Sequence, residues 1–114
     1  MAGRARNAGV RLRPHAKTHK SIWIAARQLA RGAEGLTVAK LGEAEVFADG
    51  GVTDILVAYP IVGTLKLTRL RALAGRIPLV VALDDIAVAR RGVAGLPGLQ
   101  LLGLLTHAGH GYRA

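Results

Sequence analysis

The stretch RPHAKTHKS, residues 13–21, joins an extended run to an apolar helical pattern and carries two histidines and two lysines. Pro14 disfavours helical geometry at Arg13 and favours an extended chain there. Ser21 is a favourable helix N-cap, and the apolar residues that follow it recur at helical spacing up to Gly32. The stretch therefore predicts the end of a short strand, a polar turn and the start of a helix.

The remainder of the chain repeats this alternation of apolar runs and amphipathic segments. Apolar runs between helical patterns are typical of a parallel sheet covered by helices, in which each crossover is right-handed. The order predicts an α/β fold in a single domain over residues 1–114, either a doubly wound sheet or part of a (β/α)8 barrel. The predicted strands are residues 10–13, 36–39, 54–59, 78–83 and 99–105, and the predicted helices are residues 21–32, 43–49, 66–74 and 86–91.

Polar and titratable residues follow the predicted strands, whereas the strand interiors carry almost none. Ligands of parallel α/β folds bind at the C-terminal ends of the strands. We therefore expect Lys17, Lys40, Tyr59 and His107 to gather on one rim of the sheet. The strand-end residues are Lys17, Thr18, His19, Lys40, Tyr59, Asp84, Asp85, Thr106 and His107.

Lys17 is the candidate nucleophile of this rim. Burial at the end of a strand lowers the pKa of a lysine amine, which can then form a Schiff base with an aldehyde cofactor. The alternative is an ordinary lysine whose stem lies along the sheet edge. His15 and His19 flank Lys17 at alternate positions, and their spacing leaves open whether they are metal ligands, acid–base groups or polar caps.

Composition narrows the classes of partner. Sixteen Lys and Arg against seven Asp and Glu give a net charge of +9, which favours anionic partners. The basic residues are scattered singly or in pairs, so a dedicated nucleic-acid surface is not expected.

No apolar run approaches the length of a membrane span, about 18 residues, and no secretory signal is visible. The absence of cysteine excludes disulfides and thiolate metal sites and fits a cytoplasmic protein. No nucleotide phosphate-loop motif is present.

Three blocks in order, residues 13–20 (RPHAKTHK), 37–46 (TVAKLGEAEV) and 103–110 (GLLTHAGH), resemble the D-threonine aldolase and D-serine dehydratase family. That family contains fold type III enzymes of pyridoxal 5'-phosphate (PLP) with an alanine racemase-type N-terminal barrel. The resemblance implies a lyase that acts on D-amino acids.

The same resemblance implies roles for individual residues. Lys17 corresponds to the lysine that binds PLP as a Schiff base, and His107 to the ring that packs near the pyridine face. His15, His19 and Lys40 are implied as residues that line the cofactor pocket.

The chain also departs from the family pattern. A complete barrel has eight strands in about 250 residues, and a β-rich domain follows it in the family, whereas this chain has about five predicted strands. Between Asp84 and Gly98 the family has a helix and a strand that carries an arginine near the cofactor. The later phosphate loops and the ligands of the divalent metal used by full-length relatives are missing as well. We therefore expect a truncated, internally deleted partial barrel.

Two physical consequences follow from these departures. A partial barrel has open strand edges and an exposed apolar face, so the chain is expected to self-associate or aggregate. Because the phosphate loops are missing, we expect Lys17 to bind PLP weakly, with little turnover of D-threonine or D-serine. The alternatives are a non-catalytic PLP-binding barrel of the PLP-homeostasis type, an inactive fragment, and a basic nucleic-acid-binding module.

Overall fold

The computed structural model describes residues 1–85, 87, 100 and 102–105. The chain divides into two compact units, Met1–Ala82 and Leu83–Ala114. Helices and strands alternate in the first unit after an N-terminal helix. The elements are α1 (Ala2–Asn7), α2 (Ile22–Ala30), β1 (Leu36–Val38), α3 (Leu41–Asp49), β2 (Ile55–Val57), α4 (Thr64–Ala74) and β3 (Leu79–Val81).

The three strands form one parallel sheet in the order β1-β2-β3, with α3 and α4 as the crossovers. Thr37, Leu56 and Val80 are in register across the sheet. The predicted parallel α/β class is confirmed. The predicted partial barrel of about five strands is not shown, because the sheet has three strands within the described residues.

The first predicted strand, residues 10–13, is wrong. The chain instead runs beside β1 a few residues later, in a single parallel bridge between His15 and Thr37. The Ala16 N–H donates to the Thr37 carbonyl at 2.8 Å, and the Thr37 N–H donates to the Pro14 carbonyl at 2.8 Å. Extending this ladder toward the N-terminus would require an N–H at residue 14, which proline lacks. An extended segment therefore lies beside β1 without forming a regular strand.

The helices cover one face of the sheet. Side chains alternate between the two faces of a strand, so Leu36, Val38, Ile55 and Val57 share a face. All four are fully buried, in one cluster with residues of α2, α3 and α4. On the opposite face lies the row of His15, Thr37, Leu56 and Val80. Leu56 and Val80 are only half-buried, so this second face is the more open one.

The helix starts are set by their caps. Ser21 caps α2 as predicted, with its Oγ accepting the Ile24 N–H at 3.4 Å. Helix α3 begins at Leu41 rather than at Glu43, because the Glu43 side chain returns to the backbone just before the helix. This arrangement resembles a capping box, in which a glutamate in the first turn accepts an N–H that the helix leaves free.

The second unit is described at residues 83–85, 87, 100 and 102–105. Of the predicted helix 86–91 only Ala87 is described, and it is helical. Of the predicted strand 99–105, residues 100 and 102–105 are described, and they lie outside any strand.

Candidate active site

The C-terminal edge of the sheet carries the residues that the sequence singled out in the first unit. Parallel strands end at the same edge, so the residues that follow them lie along one rim. Lys17 follows the bridge at His15, Lys40 lies just beyond β1, and Tyr59 lies just beyond β2. His107 lies outside the described residues. Asp84 and Asp85 are exposed and belong to the second unit.

A tight loop presents Lys17. Ala16 at its start is fully buried, and the Lys20 N–H at its end donates to the Ala16 carbonyl at 2.9 Å. Lys20 has a φ of 47°, in the left-handed region that residues other than glycine rarely adopt. The Lys17 N–H donates to Nδ1 of His15 at 3.1 Å. The loop is thus closed by the Lys20–Ala16 backbone hydrogen bond and held at its start by the His15 ring, while the Lys17 side chain is exposed.

The exposure of Lys17 contradicts one expectation. The sequence predicted a partly desolvated amine, whereas the structure places Lys17 in solvent. The reason is that the chain turns at Ala16, immediately after a single bridge, so the lysine is carried past the end of the sheet. The amine is accessible to a small molecule.

His15 faces the open side of the sheet next to this loop. Its Nδ1 accepts an N–H, so the neutral ring carries its proton on Nε2. Burial lowers the pKa of His15, the positive charge of Lys17 lowers it further, and Glu43 opposes both. His15 is therefore neutral at neutral pH and has an Nε2–H that can donate to a ligand.

His19 turns toward the interior instead. Its Nδ1 accepts the Ser21 N–H at 3.1 Å, and its ring packs edge-on against Phe47 with the centroids 6.3 Å apart. Its Nε2 is buried, with no hydrogen-bond partner among the described residues. These contacts give His19 a role at the start of α2 and against α3. Because its Nε2 is buried, His19 does not present this atom at the rim.

Glu43 is a site residue that sequence reasoning missed. Its side chain is 12% exposed, Oε2 accepts the Ala39 N–H at 2.9 Å, and Oε1 lies 3.3 Å from the Lys20 Nζ. Burial alone would raise the pKa of Glu43, but the Ala39 hydrogen bond and the charges of Lys20 and Lys40 lower it. The carboxylate is therefore ionised. The signal in the sequence was its position in the first turn of a helix, three residues after Lys40.

Two further findings apply to the described part of the chain. It contains no group of three histidine, cysteine, aspartate or glutamate side chains placed to hold a metal ion. None of its helices has both the length and the apolar character that a membrane span requires.

The fold and this rim define a class, an α/β protein with a parallel sheet and an accessible amine at the C-terminal edge of that sheet. The chain is 62% identical over 50 residues to a D-threo-3-hydroxyaspartate dehydratase from Delftia sp. strain HT23, which covers 44% of the chain and 13% of that relative. It is 45% identical over 76 residues to a D-threonine aldolase from Arthrobacter sp., covering 67% of the chain and 20% of that relative.

A solved structure agrees with these relatives. The D-threonine aldolase from Filomicrobium marinum superposes with a TM-score of 0.77 at 46% identity, over 82% of this chain and 26% of that one. No protein-family model matches the chain. These relatives and solved structures are D-threonine aldolases and D-3-hydroxyaspartate dehydratases, which supports a fragment of that family, and the chain spans between an eighth and about a quarter of their length.

Proposed function

We propose that this chain carries the cofactor-lysine portion of a PLP-dependent lyase that acts on D-amino acids, with Lys17 as the residue that holds PLP. The observation that carries the proposal is the position of Lys17. It lies on a tight loop at the C-terminal edge of a parallel sheet, in a chain related to D-threonine aldolases. The C-terminal edge of the strands is where parallel α/β folds bind ligands, and Lys17 lies at that edge.

The described residues fit PLP in two respects. The Lys17 amine is accessible to an aldehyde. At the C-terminal edge, the hydrogen bonds between strands continue one residue past β2 and β3. The Ala58 N–H donates to the Val38 carbonyl, and the Ala82 N–H donates to the Val57 carbonyl. Alternation puts the methyl groups of Ala58 and Ala82 on the open face, and side chains this small are compatible with a planar ring lying against that face.

Each rim residue then has a role that its chemistry supports. When bound, PLP withdraws electrons from the Cα of an amino acid and so weakens the bonds at that carbon. The Lys17 Nζ would hold the cofactor through a Schiff base. The neutral His15 would donate a hydrogen bond from Nε2, and the exposed Lys40 would attract an anionic group.

The divalent metal that the resemblance implies for full-length relatives does not fit the described residues. They contain no cluster of three suitable ligands. We therefore assign no step to a metal in this chain.

Trapping of PLP tests the proposal. The chain is incubated with PLP, reduced with borohydride and mapped by peptide mass spectrometry. We expect the label to concentrate at Lys17 and to disappear from this position in Lys17→Ala. The matched control is Lys66→Ala, which removes an exposed lysine of α4 and should leave the Lys17 label unchanged. A label shared equally between Lys17 and Lys66 would reject Lys17 as the cofactor lysine.

Turnover separates catalysis from cofactor binding alone. We expect this chain by itself to cleave D-threonine or eliminate water from D-serine slowly or not at all, because it spans only part of its relatives. Trapping at Lys17 without turnover fits a cofactor-binding portion that needs further residues. Rapid turnover would show that the chain completes an active site unaided.

A further inference from the structure

We propose that Glu43 is a positioning residue for the Lys17 loop, which it ties to the start of α3. What this positioning role implies for PLP binding rests on the proposed function, whereas the contacts that support the role do not. Glu43 is a largely buried carboxylate that reaches two strand-end loops at once.

The two carboxylate oxygens have different partners. Oε2 accepts the Ala39 N–H at 2.9 Å, at the end of β1, and this contact fixes the side chain on its own loop. Oε1 lies 3.3 Å from the Nζ of Lys20, at the end of the neighbouring loop. The Lys20 side chain is 60% exposed, so the ion pair contributes little to overall stability. Its effect is on where the Lys17 loop sits.

The backbone of Lys20 explains why such a contact matters. Its φ of 47° is disfavoured for a lysine, so surrounding contacts must hold it. Two contacts are present, the Lys20 N–H to the Ala16 carbonyl and the Lys20 Nζ to Glu43. Removing the second lets Lys20 relax toward the common right-handed region. Lys17 lies within the same closed turn, so its position changes with that relaxation.

The charges on this rim give the proposal a second readout. Burial lowers the pKa of His15, Lys17 lowers it further, and the negative charge of Glu43 opposes them. Lys20 and Lys40 in turn act on Glu43. A neutral residue in place of Glu43 therefore lowers the pKa of His15. This charge effect acts through space and reports only that Glu43 lies near His15. Faster amide exchange at Lys17 and Lys20 is the change that a carboxylate serving only to cap α3 would not produce.

The experiment compares Glu43→Gln with Glu45→Gln. Both residues lie on α3 and both carboxylates are ion-paired, but Glu45 pairs with Arg69 of α4, away from the loop. Hydrogen exchange of the Lys17 and Lys20 amides and the NMR titration of His15 are measured in the full 114-residue chain. In Glu43→Gln we expect exchange at both amides to accelerate by about tenfold and the His15 pKa to fall. In Glu45→Gln neither should change.

Variants of Lys20 keep the test decisive if Glu43→Gln fails to fold. Lys20→Gln removes the ion pair at a largely exposed position and should reproduce the faster exchange, whereas Lys20→Arg should preserve protection. The double variant Lys20→Gln with Glu43→Gln should be no faster than either single variant, since both remove the same contact. Unchanged exchange in Lys20→Gln would overturn the inference.

PLP trapping then separates this inference from the proposed function. If the wild-type chain favours Lys17 over Lys66, we expect Glu43→Gln to reduce the ratio of the two labels by about tenfold, because displacing a reacting group slows its reaction. An unchanged ratio would contradict the positioning role. If the wild-type chain shows no preference for Lys17, the proposed function fails, and the amide exchange still decides the role of Glu43.

Discussion

Replacing a valine on each face of the sheet tests whether one face is open, as a ligand site at its C-terminal edge requires. Val57 of β2 is fully buried under the helices, and Val80 of β3 is half-buried on the opposite face. Valine to alanine removes two methyl groups, each worth about 0.8 kcal/mol when buried. For Val57→Ala the transfer loss is about 1.6 kcal/mol, and the cavity left behind raises the expected cost to about 2–3 kcal/mol. Val80 keeps part of its surface in solvent and can leave no closed cavity, so for Val80→Ala a smaller cost, about 1 kcal/mol, is expected.

Urea denaturation followed by circular dichroism measures both costs. A unit of the size of Met1–Ala82 has a stability of roughly 4–12 kcal/mol, so Val57→Ala should lower the midpoint and leave the chain folded in water. Equal m-values in the two variants are the control for an unchanged unfolding transition. If Val80→Ala proves as destabilising as Val57→Ala, the second face is as closely packed as the first. The space that we assign to a cofactor ring beside Ala58 and Ala82 would then not exist.

Two further predictions concern pH and association. Because the pKa of His15 is lowered on folding, the stabilisation from neutral His15 is complete above about pH 6.5 and is lost as the pH falls through the lowered value. Thermal unfolding from pH 8 to pH 5 should show this loss, and His15→Gln should reduce it; equal pH dependence in the variant would contradict the assignment. The chain should also form dimers or larger species in light scattering, because within Met1–Ala82 β3 has a strand neighbour on one side only. A monodisperse monomer at all concentrations would refute this second prediction.

The sequence was sufficient for the parallel α/β class because that class depends on a pattern spread over many residues. The apolar runs at β1, β2 and β3 and the helical spacing between them survive errors of a few residues at each boundary. The first strand was misplaced because its position depends on a single residue and not on a pattern. A single missing N–H at Pro14 interrupts the ladder, and neither hydrophobicity nor β-propensity reports which neighbour a given N–H would meet.

The common edge of Lys17, Lys40 and Tyr59 was predictable from the sequence, whereas the exposure of the Lys17 amine was not. Lys17, Lys40 and Tyr59 each follow an extended segment, and parallel segments end at the same edge of a sheet, so a common edge was expected. The burial of an amine, in contrast, depends on the turn that follows the strand. The chain bends at Ala16 and leaves Lys17 exposed, which no spacing rule indicates. Glu43 was missed because its partner Lys20 belongs to a different loop, and such a pairing appears only in three dimensions.

The exposure of Lys17 changes what the remaining residues must supply. A buried lysine is held in place by its neighbours, whereas an exposed one can reach many positions unless its backbone is fixed. Here the backbone is fixed by the Lys17 N–H to His15 and by the Lys20 contacts to Ala16 and Glu43. Accurate placement of a reacting group can be worth several orders of magnitude in rate. The hydrogen bonds of this loop, more than any burial of the amine, therefore distinguish Lys17 from the other lysines on the surface of the chain.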